Sequence, residues 1–156
     1  MKITLLLIGK TTDNHLQALI EEYQKRLQHY TAFDIQIIPE LKNAKNMPQE
    51  EQKQREGELI LKIINPSDQL ILLDERGKEF RSINFAQQLN KWLNTGKNLV
   101  FVVGGPYGFS KAVYDRADQM LSLSQMTFSH QMIRLLFTEQ LYRAFTILHN
   151  EPYHHE

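Results

Sequence analysis

The chain contains no cysteine. That excludes disulfides, thiolate metal sites and a cysteine nucleophile, and it fits the reducing cytoplasm. It also lacks an excess of either charge, with 18 Lys and Arg against 18 Asp and Glu. A neutral chain has no general pull on nucleic acid, whose binding rests on many Lys and Arg contacts to phosphate. An RNA substrate would need a local patch, or a partner that holds it. No hydrophobic run approaches a membrane span, and the opening Ile3–Ile8 is too short and lacks a small-residue cleavage site. Glycine and proline are scarce, at 7 and 5 of 156 residues. Their clustering in Gly104-Gly105-Pro106-Tyr107-Gly108 is therefore informative.

What is present alternates between two periods. Ile3–Ile8 is a continuous apolar strand, followed by Thr12 or Asp13 as a cap and a helix with Leu16, Leu19, Ile20, Tyr23 and Leu27 at helical spacing. Phe33–Ile38 is a second strand, and the polar stretch from Pro39 to Pro48 is a surface loop. Glu50–Ile64 is a charged helix stopped by Asn65-Pro66-Ser67. Gln69–Leu73 is a third strand, with a turn predicted over Asp74–Lys78. Ser82 is the expected cap of a helix carrying Phe85, Leu89, Trp92 and Leu93, which Gly96 ends. Leu99–Val103 is a fourth strand, Ser110 caps a short helix through Ala117, and Met120–Leu123 is a fifth strand. Gln131–Leu148 is the last helix. Strands alternating with helices predict one α/β domain over residues 1–156, with a mostly parallel sheet covered on both faces.

Two phosphate-loop templates fail. Gly9-Lys10-Thr11 imitates the end of a Walker A loop, but Thr4 stands where its first glycine belongs. The glycine turn lacks the G-x-G-x-x-G spacing, and no acidic residue follows at the usual place on a next strand. The turn has two readings: a tight connection needing positive φ, or a wall of a ligand site. Leu73 and the segment Ser122–Ser129 stand at two further strand ends. Together the three can line a pocket for an adenine-bearing ligand, read by backbone groups. A bulky residue at Gly105 is then expected to fill that pocket.

The last helix pairs His130 with Arg134 and Glu139 with Arg143 at i,i+4, a spacing worth only tenths of a kcal/mol at a surface. Yet Leu135, Leu136, Phe137, Leu141, Tyr142, Ala144, Phe145, Ile147 and Leu148 make it apolar nearly all round, which predicts cover by a second subunit. The tail, Pro152-Tyr153-His154, is either a fraying end or a functional pair.

These residues carry a resemblance. The glycine turn, Leu121-Ser122-Leu123-Ser124, Thr127, His130, Arg134, the run Glu139–Ala144 and the closing Pro152-Tyr153-His154 resemble the ribosomal RNA large-subunit methyltransferase H family, of the SPOUT class. The likeness spans the whole chain. It implies an α/β fold with a carboxyl-terminal trefoil knot, and a homodimer. It implies methyl transfer from S-adenosylmethionine to N3 of a pseudouridine in helix 69 of large-subunit rRNA, within the assembled ribosome. The implied cofactor pocket is Leu73, Gly105, Ser124, Gln125, Met126, Thr127, Phe128 and Ser129. One departure is Ser129, where many members have proline.

Methylating N3 of a uracil-like ring requires loss of that nitrogen's proton and an in-line methyl. His130, Glu139 and His154 are the candidate bases, with His154 preferred and Tyr153 beside it. Arg134 and Arg143 are expected to hold phosphate or stabilise charge on the ring carbonyls. No metal is required and no membrane is involved. The alternatives are a SPOUT enzyme acting on tRNA and a non-catalytic ribosome-associated dimer.

Overall fold

The structure is a computed structural model describing residues 1–155. In chain order it comprises β1 (Lys2–Ile8), α1 (Asn14–Leu27), β2 (Ala32–Ile38), α2 (Gln49–Ile63), β3 (Gln69–Glu79), α3 (Ser82–Leu93), β4 (Leu99–Val103), α4 (Lys111–Arg116), β5 (Gln119–Ser122) and α5 (Met132–Leu148). The strands form one sheet in the order β2-β1-β4-β3-β5, with every pairing parallel. β4 is central and wholly buried, as its unbroken Leu-Val-Phe-Val-Val run requires. Leu99, Phe101 and Val103 face a core shared with α1, α3 and α5. Val100 and Val102 face a second core closed by Ile60 of α2 and Val113 of α4. The layering is helix, sheet, helix.

Local chemistry sets several boundaries. The Asp13 carboxylate accepts the His15 and Leu16 N–H groups at 2.8 and 3.2 Å, capping α1. Ser110 caps α4 through the Val113 N–H. Gly96, at φ +72°, follows the end of α3. Ser82 is not a cap: Arg81 holds that position, and the Ser82 hydroxyl donates instead to Gln140 Oε1 on α5 at 3.0 Å.

The segment Asp74–Lys78 is not a simple turn. β3 pairs with β5 over Ile71–Leu73 and again at Lys78 and Glu79, so that Leu121 is partner to both Leu73 and Lys78. The intervening residues arch over β5, and Gly77 is where the backbones meet. A Cβ there would stand 2.6 Å from backbone atoms of Met120 and Leu121. Gly77→Ala is therefore expected to cost about 2–3 kcal/mol, because neither backbone can retreat. Urea denaturation measures this, and unchanged stability would remove the arch as a rigid feature.

α5 lies against both α1 and α3. Its buried residues Phe137, Leu141, Ala144 and Phe145 belong to the core of this one chain. Much of the apolar circumference expected to meet a second subunit is thus spent inside the protomer. No helix among the described residues is long and apolar enough to cross a membrane.

Candidate active site

β4, β3 and β5 are neighbours, so the three segments that follow them emerge side by side. They enclose a cleft of about 870 Å3. Leu73 and Asp74–Arg76 form one wall, Val103–Phe109 another, and Leu121–Ser124 with Met126–His130 the third. The size suits a ligand as large as a nucleoside with a side arm. One part of the lining is apolar, with Leu73, Val103, Leu121, Leu123 and Ile133; Glu50, Lys53, Asp74, Glu75, Arg76 and Lys111 supply charge. Of the expected cofactor residues, Leu73, Gly105, Ser124, Met126, Thr127, Phe128 and Ser129 line the cleft, and Gln125 does not.

The third wall is braced by its serines. Ser122 donates to the Ser124 carbonyl at 2.9 Å, and Ser124 Oγ accepts the Met126 N–H at 2.9 Å. Ser129 Oγ accepts the Met132 N–H at 3.0 Å, so the residue that departs from proline supplies a side-chain bond at the start of α5. Asp74 braces the first wall. It accepts from the Tyr114 hydroxyl and from the Arg76 N–H, and the Arg76 guanidinium lies 4.4 Å from the centre of the Tyr114 ring. Asp74, Arg76 and Tyr114 escaped sequence reasoning: the first two sit in an apparent turn, which gives no periodic signal, and Tyr114 lies on the short α4.

The glycine turn meets neither expectation in full. Gly108 has positive φ at +83°, whereas Gly104 and Gly105 do not. Their need is space for neighbouring side chains. A Cβ on Gly104 would touch the Phe109 ring at 3.1 Å, and one on Gly105 would stand 2.7 Å from Glu56 Oε1. A valine at Gly105 would therefore strike the Glu56 carboxylate rather than fill the pocket.

Glu56 is itself buried, with Gln52 Nε2 donating to it at 3.2 Å. Burial pushes its carboxyl above the ordinary value; Gln52 opposes the shift and the charge of Glu40 adds to it. A carboxyl raised in the folded state contributes stability at low pH that is lost as pH climbs through the folded value. Glu56→Gln keeps the shape and removes the charge. It is expected to melt higher than the parent at pH 8, with the gain gone near pH 4. Thermal denaturation at both pH values checks this, and a variant melting lower at pH 8 contradicts it.

Arg134 is not in the cleft. It is 1% exposed, and four of the five guanidinium N–H groups bond within the chain. Nε donates to the His130 carbonyl at 2.9 Å, Nη1 to Gly9 O and Thr11 Oγ1 at 3.0 and 3.1 Å, and Nη2 to Ile8 O at 2.8 Å. It ties α5 to the end of β1, as does Gln131, which bonds the Thr12 N–H and Lys10 O. Arg134 is thus buried and tied to the end of β1 rather than presented to phosphate or a ring carbonyl, which corrects the expected role. His130 does line the cleft.

The remaining candidates gather elsewhere on α5. Arg143 Nη2 donates to Glu139 Oε1 at 2.6 Å, the Tyr153 hydroxyl donates to the same oxygen at 3.0 Å, and Gln140 Nε2 donates to Oε2 at 3.1 Å. Arg143 Nη1 lies 3.1 Å from His154 Nδ1, and its guanidinium 4.7 Å from the centre of the Tyr153 ring. Burial works against the Arg143 charge, but Glu139 outweighs it and the group sits above its usual value. These contacts dock Tyr153 and His154, and residue 156 lies outside the described residues. Three donors converge on Glu139, which joins Arg143, Tyr153 and Gln140. None of Glu139, Arg143, Tyr153 and His154 lines the cleft. A smaller hollow of about 260 Å3 adjoins the cleft at Leu121–Leu123 and Phe128 and reaches Gln140. Among the described residues, no group of three or more His, Asp or Glu side chains is placed to hold a metal ion.

Comparison with known proteins bears on these features. A family model described as "Predicted SPOUT methyltransferase" matches residues 1–154. The chain is 57% identical to a protein of Phocaeicola vulgatus named ribosomal RNA large subunit methyltransferase H, with 100% of both chains covered. Proteins of the same name from Flavobacterium johnsoniae and Bacteroides fragilis are 59% and 55% identical, again over 100% of both chains.

Proposed function

The chain belongs to the SPOUT methyltransferase family, and from that premise we propose that it methylates large-subunit rRNA, using S-adenosylmethionine to modify N3 of a pseudouridine in helix 69. The observation that carries this reading is the convergence of three loops from adjacent strand ends on one cleft. The residues fit the cofactor: backbone-rich walls and Leu73, Val103 and Leu121 suit a purine, and the charged lining suits an amino-acid arm. When bound, S-adenosylmethionine supplies an electrophilic methyl group.

The chain's own residues do the rest. Loss of the N3 proton spreads negative charge over the ring carbonyls. Arg143, fixed by Glu139, is the cation set to meet it. His130, the imidazole on the cleft itself, is our choice to take the proton. Because Arg143 and the tail lie outside the cleft of their own subunit, the complete site is formed between two copies. Exposed apolar residues near the cleft support this: Met126 is 76%, Met132 41% and Phe128 39% exposed. The same reading takes residues 1–156 as one domain, its carboxyl-terminal segment threaded as a trefoil, working in the cytoplasm on assembled ribosomes. Neutral net charge fits a substrate recognised by its shape.

Calorimetry is expected to show binding of S-adenosylmethionine and not of NAD or ATP, and sedimentation at micromolar concentration to show a dimer. A monomer would overturn the composite site. The function is tested by mass spectrometry of rRNA from cells lacking the chain. A single missing methyl in helix 69 is expected, and a fully methylated helix 69 would refute the reading.

A further inference from the structure

Tyr23 of α1 falls in the core-facing stripe by its spacing, yet its hydroxyl lies 3.2 Å from the hydroxyl of Tyr153 in the tail. Chemistry fixes the direction of each bond in this cluster. A carboxylate only accepts and a guanidinium only donates. Tyr153 gives its one proton to Glu139 Oε1, so the Tyr23 hydroxyl must donate to Tyr153. Burial, with Tyr23 and Glu139, pushes the Tyr153 phenol well above its usual range, which keeps it a donor. Glu139 in turn anchors Arg143 Nη2, and Arg143 Nη1 meets His154 Nδ1. Since Nη1 cannot accept, Nδ1 must, and the imidazole proton sits on Nε2.

We propose that Tyr23 is a positioning residue that, through Tyr153 and Glu139, sets the Arg143 fork so that His154 is held as its Nε2–H tautomer. The proposal rests on reading the tail as part of the active site. Its consequence is that Arg143 occupies the Nδ1 lone pair while Nε2 carries the proton, which removes His154 as acceptor of the N3 proton. The Tyr23 ring is held independently of its hydroxyl. It packs 5.8 Å from Tyr142 between ring centres, and the Arg26 guanidinium lies 5.1 Å from its own centre. Tyr23→Phe should therefore keep the packing and lose only the relay.

The test is imidazole 15N NMR on the full chain without substrate, with His154 assigned from the His154→Gln spectrum. The parent is expected to show a protonated Nε2 and a bare Nδ1. Tyr23→Phe is expected to show mixed tautomers. Its turnover on ribosomes should fall about five-fold, the size of one hydrogen bond, at unchanged KM for S-adenosylmethionine and with a melting temperature lowered by no more than a few degrees. A proton on Nδ1 in the parent, or a Tyr23→Phe protein with parental tautomer and turnover, overturns the proposal. If Tyr23→Phe does not fold, Tyr153→Phe breaks the same relay one step later and is read the same way. The tautomer is measured without methyl transfer. A parent inactive on ribosomes yet carrying Nε2–H would sink the functional reading and support the relay.

Discussion

Deletion of residues 152–156 abolishes methyl transfer, with turnover falling at least about 100-fold, while S-adenosylmethionine affinity stays within about two-fold. The first part follows from what the tail does to Arg143. Tyr153 shares Glu139 with it and lies under its guanidinium, and His154 takes its other arm. Without the tail, Arg143 keeps its charge but loses its fixed direction, and a donor that must reorganise stabilises a transition state poorly. The second part follows because no described residue of the tail lines the cleft. The deletion should also cost about 1–2 kcal/mol of stability, since the Tyr153 ring packs 4.8 Å from Tyr142 and its hydroxyl bonds Glu139 and Tyr23. Labelled methyl transfer beside calorimetry separates the effects. Full turnover in the truncated chain would take the tail out of the site and leave His130 as the remaining imidazole.

Arg134→Ala unfolds the chain or destabilises it by about 3–5 kcal/mol, the range for leaving several buried carbonyls unpaired and opening a cavity. The substitution strips hydrogen bonds from the carbonyls of Ile8, Gly9 and His130 and leaves a hole between α5 and the end of β1. Burial already depresses the Arg134 pKa, with Glu40 opposing it, so the charge is kept for its geometry. Arg134→Lys should rescue little, because an ammonium cannot span the three directions the planar fork serves. Denaturant titration of both variants checks this. A stable Arg134→Ala protein that binds cofactor normally but fails to methylate would return Arg134 to the catalytic group.

The contrast between the two arginines shows where sequence reasoning stops. Both occupy i,i+4 pairs on one helix, and nothing in the pattern separates them. The difference is that one faces the end of β1 and the other faces the tail, which depends on how α5 is rotated against α1 and α3. The strands were legible because buried parallel strands must be apolar throughout, and Leu99–Val103 can be little else. The cleft was legible because small and polar residues at three strand ends are costly unless used. Asp74–Lys78 misled because the same polar residues suit a turn and an arch over a neighbouring strand. Only the position of β5, invisible to periodicity, makes Gly77 the crossing point. Gly105 was correctly placed on the cleft but for an incomplete reason, since Glu56 is far away in sequence. Tyr23 was visible only as a core residue; its hydroxyl gained a meaning once the tail was seen to dock against it.

The most direct measurement is transfer of labelled methyl from S-adenosylmethionine to ribosomes lacking the modification, followed by nuclease digestion and mass spectrometry of helix 69. The account predicts one label per large subunit, on N3 of a pseudouridine, lost in Arg143→Ala and in the tail deletion. Label on any other RNA, or none in helix 69 with a protein that binds S-adenosylmethionine, would contradict it.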